Sequence, residues 1–323
     1  MSVLPAPAET TIQFAHVAYQ FATCADARGY TSPYFQTYSP EDTRAQLERA
    51  DVLVISGFWR NELLEAAPNL KFIQVAGAGY DAFDQDALKA RGIRLANSSG
   101  VNKNAVSEHA MGLLLSLSRR LYEARDNQAR RHWRGMLSDF AQREDELDGK
   151  TLLIYGMGAI GERLARLAKA FDMRVVGIKR NTAVTTVADE VVTPAELQTC
   201  LASADFVALT CPLTDDTRHV INAEALAAMR PGAYVINVAR GACVDEEALV
   251  AALESGAIKG AALDTTTSEP LAEGSKLWGM PNVVLTPHTA GETCRYELNV
   301  LDFLDENLRR LWAGETELVN QVI

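Results

Sequence analysis

The run Gly156-Met157-Gly158-Ala159-Ile160-Gly161 constrains this chain more than any other six residues. It follows Thr151-Leu152-Leu153-Ile154-Tyr155, an apolar segment suited to a buried strand, and it opens Ala159–Phe171, which carries helical periodicity. Alone, a G-x-G-x-x-G is a weak signal. Between a strand and a helix each glycine acquires a task. Gly156 permits the tight turn, Gly158 lets a pyrophosphate approach the backbone, and Gly161 lets helix and strand pack closely. The N–H groups around Ala159 and Ile160 then face phosphates at the positive helix end. The motif predicts a dinucleotide site on a parallel α/β sheet.

The surrounding sequence carries the same alternation. After Thr151–Tyr155, strand signals recur at Arg174–Ile178, Asp205–Thr210, Ala233–Val238, Gly260–Leu263 and Asn282–Leu285. Helical stretches at Pro194–Ala202, Ala223–Met229 and Asp245–Ser255 separate them. Six strands with helical crossovers make a doubly wound sheet. The first hundred residues hold a shorter series. Thr11–Val17, Asp51–Ile55, Lys71–Val75 and Ile93–Leu95 read as strands, and Glu41–Ala50, Asn61–Ala67 and Asp84–Ala90 as helices. A long helix from about Asn102 to Asp126 is expected between the two series, buried at His109–Leu115. An extended, aromatic-dotted arm follows over His132–Glu146, and an amphipathic helix over Glu292–Ala313. The fold class is α/β, and 323 residues suit two domains.

The chain has 31 Lys+Arg against 42 Asp+Glu, a formal charge of −11, with no basic run to offset it. Nucleic acid is therefore an unsuitable partner. No apolar run reaches the ~18 residues of a membrane helix, and no basic n-region precedes an apolar segment. Cys24, Cys200, Cys211, Cys243 and Cys294 form no CxxC pair and leave one over, which suits reduced thiols in a cytoplasmic protein. No His or Cys spacing resembles a metal site.

The strand after the glycine loop selects the dinucleotide. An NAD site places an acid about 20 residues on, against the ribose 2′-OH. Here the strand ends Ile178-Lys179-Arg180-Asn181-Thr182, and Lys179 stands where the acid belongs. Two cations suit a 2′-phosphate, so NADP(H) is the expected cofactor, with NAD(H) the alternative. Basic residues also occur at solvated strand ends without any ligand.

Three polar residues follow later strands, at the carboxyl edge where open α/β sheets bind ligands. Arg240 follows Ala233–Ala239, Glu269 follows Ala261–Asp264 and a short loop, and His288 follows Val283–Pro287. Arg grips a carboxylate bidentately, His transfers protons near neutral pH, and a carboxylate orients an imidazole. Together they suit reduction of a 2-oxo acid. Singly, each also reads as a strand-end ion pair or a satisfied His.

At these residues the chain resembles the D-isomer-specific 2-hydroxyacid dehydrogenases, over nearly its whole length. The match is densest in Cys211-Pro212-Leu213-Thr214 through Thr217, Met229-Arg230-Pro231-Gly232-Ala233, and Ile236-Asn237-Val238-Ala239-Arg240-Gly241 with Val244-Asp245-Glu246. It continues in Gly260-Ala261-Ala262-Leu263-Asp264, Glu269-Pro270-Leu271, Asn282-Val283 and Thr286-Pro287-His288-Thr289-Ala290-Gly291. The branch it is most similar to is the NADP-preferring glyoxylate/hydroxypyruvate reductases. The resemblance implies a Rossmann cofactor domain, residues 102–291, inserted into a flavodoxin-like substrate domain, residues 1–101 and 292–323, with the active site in the cleft between them. It implies that Arg240 binds substrate, Glu269 pairs with His288, and His288 is the acid/base. Implied cofactor contacts run along Gly156 to Gly161, then Lys179, Arg180, Cys211, Pro212, Thr217, Ala239, Asp264 and Gly291. Among these, Asp264 would orient the nicotinamide carboxamide. In Ala76-Gly77-Ala78-Gly79, backbone N–H groups near Ala78 and Gly79 would hold the substrate carboxylate. Partners implied are a small 2-oxo or 2-hydroxy acid and a second copy, in a homodimer formed largely through Leu117–Asp148.

The chain departs from the family in two places. Thr265-Thr266 replaces a common Val-Phe after Asp264, and Ser56 stands where phosphoglycerate-oxidising members carry Arg. Phe58 and Trp59 are candidates to wall an apolar pocket, or to pack in the core. His109 reads as a satisfied buried His. Two other functions stay open on the same scaffold: a phosphite-type dehydrogenase and a non-catalytic NAD(H)-sensing corepressor. Glu269 disfavours formate oxidation, because formate enzymes of this fold lack it, and the chain ends soon after Val319-Asn320 without the tail usual in corepressors.

Overall fold

The computed structural model describes residues 4–183 and 185–323. The chain divides into two compact units, Met1–Asn102 with Thr293–Ile323, and Lys103–Glu292.

The first unit holds five parallel strands: β1 (Ile12–Ala15), β2 (Tyr34–Thr37), β3 (Val52–Ile55), β4 (Phe72–Val75) and β5 (Arg94–Ala96), in the order β2-β1-β3-β4-β5. β1, β3 and β4 are buried along their whole length, as near-continuous apolar runs covered on both faces must be. Their side chains alternate between two cores. Phe14, Val52 and Val54 pack with Val300, Leu301, Leu304 and Leu308 of the final helix, Tyr296–Trp312. Leu53, Ile55, Ile73 and Leu95 pack on the opposite face with Leu47, Trp59 and Leu88. One strand, β2, was not expected. It is a half-buried edge of four residues, too short to show a period. Asn61–Ala66 folds as a 3-10 turn rather than an α-helix.

The second unit holds seven parallel strands: β6 (Thr151–Tyr155), β7 (Arg174–Ile178), β8 (Glu190–Val192), β9 (Phe206–Leu209), β10 (Tyr234–Asn237), β11 (Gly260–Leu263) and β12 (Val283–Leu285). Their order is β12-β11-β10-β9-β6-β7-β8. The seventh strand beyond the expected six is β8, a three-residue edge strand. The order reverses between β6 and β9, so the loops leaving their carboxyl ends lie side by side at the switch point where ligands bind.

The expected long helix is two. Lys103–Ser118 ends and Leu121–Ala129 begins afresh, with Arg120 between them in the left-handed region at φ 51°. The returning chain causes the break. The Asp145 N–H takes the Ser118 carbonyl at 2.9 Å, and the Arg120 guanidinium donates to the Gln142 carbonyl. The arm carries one 3-10 turn, Phe140–Gln142, and its Trp133, Met136 and Phe140 side chains are exposed. Among the described residues no helix is long and apolar enough to cross a membrane.

Candidate active site

The three glycines of the loop differ in what surrounds them. Gly156 has φ 113°, and a Cβ there would lie 2.6 Å from the Cys211 nitrogen, so the loop after β6 rests directly on the loop after β9. At Gly161 a Cβ would lie 2.3 Å from the Gly156 carbonyl oxygen and 3.1 Å from Thr210 Oγ1. Thr210 Oγ1 itself donates to that carbonyl at 2.7 Å. At Gly158 nothing lies within 4 Å. Two glycines are thus required by the protein's own packing, and the middle one faces open space. No side chain caps the helix Ala159–Lys169 that starts there, so its first N–H groups have no intrahelical or capping acceptor. Gly158 and Ala159 are exposed and Ile160 half-buried, whereas the Met157 side chain is buried against Gly177. Met157 therefore offers a ligand only its backbone. The site fits a pyrophosphate: a helix end of positive potential with room in front of it.

At the end of β7 the Lys179 N–H is tied to the Val192 carbonyl at 3.0 Å, and Arg180 is exposed. The nearest acids along β7 and β8 are already engaged, Asp189 by Lys169 at 2.7 Å and Glu190 by Arg174 at 2.5 Å. Among the described residues neither Lys179 nor Arg180 forms an ion pair, which leaves both for an anion. After β9, Cys211 is buried, and its hydrogen bond to Cys243, together with burial, pushes its thiol up from the ordinary range. It is a packing group rather than a nucleophile. Thr217 Oγ1 donates to the Pro212 carbonyl at 2.7 Å and accepts from the Thr214 N–H at 2.7 Å, which closes the turn after Cys211.

The remaining polar residues stand at the carboxyl ends of three neighbouring strands. Beyond β10, the fully buried Asn237 shapes the loop. Its Nδ2 donates to the Arg240 carbonyl at 2.9 Å, and its Oδ1 accepts from the Ala239 N–H at 3.0 Å. Arg240 is exposed, with Nη1 donating to the Ala239 carbonyl at 2.7 Å. A Cβ at Gly241 would lie 2.0 Å from Thr266 backbone atoms, so the Arg240 loop sits flush against the loop after β11 that carries Glu269. Glu269 Oε1 accepts from the Thr266 N–H at 3.2 Å, and Oε2 lies 2.7 Å from His288 Nδ1. A carboxylate only accepts, so Nδ1 bears the hydrogen and Nε2 points away from Glu269.

His288 sits in the left-handed region at φ 56°, an uncommon conformation for a residue with a Cβ. Asp264 holds it there. Its backbone carbonyl accepts from the His288 N–H at 2.8 Å. Its buried carboxylate accepts from Thr286 Oγ1 at 2.6 Å, the Thr289 N–H at 3.0 Å and the Ala290 N–H at 3.1 Å. His109 Nε2 completes the cluster, 3.0 Å from Thr286 Oγ1 and 3.6 Å from Asp264 Oδ1. His109 is satisfied, as expected, but only partly buried. These bonds make the Asp264 carboxylate a brace of this loop. Gly291 follows in a turn closed by the Glu292 N–H on the Thr289 carbonyl at 2.9 Å.

Ala78 and Gly79 belong to the first unit, in the turn after β4. Both are exposed. The Ala76 N–H is used by the Ile55 carbonyl at 2.9 Å, while the N–H groups of Gly77, Ala78 and Gly79 meet no acceptor among the described residues. Trp59 is core: it is 2% exposed, stacks on Phe83 at 4.7 Å, and donates from Nε1 to Asn61 Oδ1 at 3.0 Å. Phe58 packs partly buried against the same cluster. Sequence reasoning did not single out Asn237 and Thr286, although both lie inside the matched runs. A buried amide or hydroxyl beside a strand-end Arg or His is the signal that marks them.

The sequence profile of the D-isomer specific 2-hydroxyacid dehydrogenase NAD-binding domain matches residues 111–290. A glyoxylate reductase of Thermofilum pendens is 38% identical over 266 residues, covering 81% of this chain and 78% of that protein. A glycerate dehydrogenase of Methylorubrum extorquens is 34% identical over 295 residues, covering 88% and 90%. Among solved structures, the NADPH-dependent glyoxylate/hydroxypyruvate reductase of Sinorhizobium meliloti superposes with a TM-score of 0.79 at 27% identity, covering 97% of each chain. With its glycine loop at the switch point and its strand-end polar residues, the chain belongs to the D-isomer-specific 2-hydroxyacid dehydrogenase family and is an NAD(P)-dependent oxidoreductase.

Proposed function

We propose that this protein reduces a small 2-oxo acid to the D-2-hydroxy acid with NADPH, reversibly, and that His288 supplies the proton. The observation that carries the reading is the 2.7 Å contact between His288 Nδ1, beyond β12, and Glu269 Oε2, beyond β11, the strand paired with the β10 that presents Arg240. Bound reduced nicotinamide would supply hydride to the carbonyl carbon. The carbonyl oxygen gains negative charge as that happens, and His288 Nε2 delivers a proton to it. Glu269 keeps the ring oriented and balances the imidazolium charge. Arg240 grips the carboxylate and polarises the adjacent carbonyl. The balance is one oxo acid, one NADPH and one proton giving one hydroxy acid and NADP.

The Gly158 opening and the uncapped N–H groups after it would hold the pyrophosphate. Lys179 and Arg180 would hold the 2′-phosphate, a reading supported by the NADPH dependence of the Sinorhizobium neighbour. Ser56 offers no cation for a phosphorylated substrate, and the relatives named for glyoxylate and glycerate favour a short, unphosphorylated acid. The exposed Trp133, Met136 and Phe140 of the arm support a homodimer built on that segment.

NADPH consumption against a panel of glyoxylate, hydroxypyruvate, pyruvate and longer 2-oxo acids, repeated with NADH, tests the reading. Turnover of a short oxo acid with NADPH ahead of NADH is the expected result. Inactivity across the panel with NADP-dependent oxidation of phosphite would replace it, and inactivity with tight dinucleotide binding would point to a sensor.

A further inference from the structure

The turn after β4 is held from behind by more polar machinery than its exposed position demands. Every carbonyl from Val75 to Ala78 has its own donor. Ser98 Oγ donates to Val75 at 2.7 Å, Tyr296 Oη to Ala76 at 2.8 Å, the Ser98 N–H to Gly77 at 2.9 Å, and Asn97 Nδ2 to Ala78 at 2.8 Å. A peptide plane whose carbonyl is pulled to one side presents its N–H to the other. The amides of Gly77, Ala78 and Gly79 belong to these anchored peptide planes and find no acceptor in the described protein, which leaves three successive N–H groups of a turn for an anion.

The donors are fixed in turn. Ser98, Gln74 and Asn307 are each 0% exposed. Asn307 Nδ2 donates to Gln74 Oε1 at 2.9 Å, and Gln74 Nε2 donates to Ser98 Oγ at 3.1 Å. Asn307 is anchored by the Val319 N–H on its Oδ1 at 2.7 Å. Tyr296 lies on the same helix as Asn307, its ring 4.6 Å from that of Tyr19. Burial, with smaller contributions from Tyr19 and Glu297, pushes its phenol up to about 12, so the hydroxyl remains a donor at any working pH. Burying three uncharged polar side chains is costly unless every group is paired, and apolar side chains of similar size would fill the same core. What the polar version adds is directional: it fixes the orientation of four successive carbonyls.

We infer that Tyr296, Asn97 and Ser98, backed by Gln74 and Asn307, are positioning residues that aim the Gly77–Gly79 amides at the substrate carboxylate. The inference rests on the proposed 2-oxo acid reductase activity, and it adds residues from the loop after β5 and from the last helix to the machinery of that reaction. None of them touches substrate; they act through the peptide planes of the turn.

The test compares wild type, Tyr296→Phe and Asn97→Ala on glyoxylate and on glyoxylamide, its uncharged analogue, with Arg240→Ala as the reference for loss of carboxylate binding. Tyr296→Phe removes only the hydroxyl and keeps the ring in its stack. Partial misalignment of charge-assisted hydrogen bonds should raise the glyoxylate KM by about three- to thirtyfold, which is about 0.7–2 kcal/mol. The NADPH KM should stay within about twofold, and the preference for acid over amide should fall by the same factor as the glyoxylate KM rises. A merely structural role would lower the melting temperature and leave the acid-to-amide ratio unchanged. If either variant is too unstable to assay, the ratio measured on the other decides. A wild type with no preference for the acid would overturn the reductase reading itself. A wild-type preference abolished by Arg240→Ala but untouched in Tyr296→Phe and Asn97→Ala would overturn the positioning inference and leave that reading standing.

Discussion

Replacing Gly158 and Gly161 separately by Ala distinguishes a ligand's space from the protein's own. At position 161 the added methyl would lie 2.3 Å from the Gly156 carbonyl oxygen, well inside the 3.0 Å that Cβ atoms keep. The obstacle is backbone on both sides, so strand and helix must part. Overpacking of this kind costs about 1–3 kcal/mol, and helix propensity returns at most about 1 kcal/mol of it. A net loss of about 1–2 kcal/mol in a unit of this size lowers the melting temperature by about 2–8 °C without any ligand. Position 158 is extended, with φ −93° and ψ −163°, and open, so Ala fits and the ligand-free melting temperature should move by about 1 °C or less. The methyl then occupies the approach of the pyrophosphate. NADPH at 100 times its Kd stabilises wild type by about 2.7 kcal/mol, and a tenfold loss of affinity removes about half of that. Scanning calorimetry with and without NADPH reads both effects. A Gly158→Ala protein that loses stability like Gly161→Ala, or that keeps the full NADPH-induced shift, would refute the argument.

Arg180→Ala should narrow the ratio of NADPH to NADH kcat/KM by about ten- to hundredfold, the worth of one charge-assisted phosphate contact; an unchanged ratio would remove the strand end from cofactor selection. Asp264→Asn leaves Thr286 Oγ1 and the Thr289 and Ala290 N–H groups sharing one acceptor oxygen, so it should cost about 1–3 kcal/mol of stability and lower kcat by releasing His288 from its left-handed conformation. Thermal melts and steady-state kinetics on the same preparation check both halves. The Lys169 ammonium, then the Val175 N–H, hold the Asp189 carboxyl below its ordinary value. A depressed carboxyl contributes stability that is complete above its unfolded pKa near 4 and lost as pH falls through the folded value. Asp189→Asn should therefore lower the melting temperature at pH 7 by about 1–3 °C, a difference that disappears towards pH 2.

The features written most plainly in the sequence are those whose geometry is local. The glycine loop announces itself because strand, turn and helix are contiguous, and the motif order around Arg240, Glu269 and His288 placed all three at strand ends, where the structure has them. Features set by distant partners were not legible. The helix break at Arg120 depends on Asp145 and Gln142 returning to it, and neither Arg119 nor Arg120 is a helix breaker. β2 and β8 are edge strands of four and three residues, each defined by a single neighbour rather than by periodicity. Trp59, beside a strand end, reads equally as a pocket wall or as core, and only the stacked Phe83 decides. Tyr296 is remote in sequence from the Ala76 carbonyl it serves, and nothing in an amphipathic helix pattern marks one tyrosine as a donor to a distant turn.

The central claim is that His288 delivers the proton as hydride reaches the carbonyl carbon. Steady-state NADPH oxidation by His288→Ala beside wild type, with glyoxylate or hydroxypyruvate saturating, tests it most directly. General acid catalysis is worth about 10²–10⁴-fold, so kcat should fall by that factor while NADPH affinity, which the proposal assigns to the glycine loop with Lys179 and Arg180, changes by less than about threefold. A His288→Ala enzyme retaining more than about a tenth of wild-type kcat would contradict the assignment and move the proton source to another group.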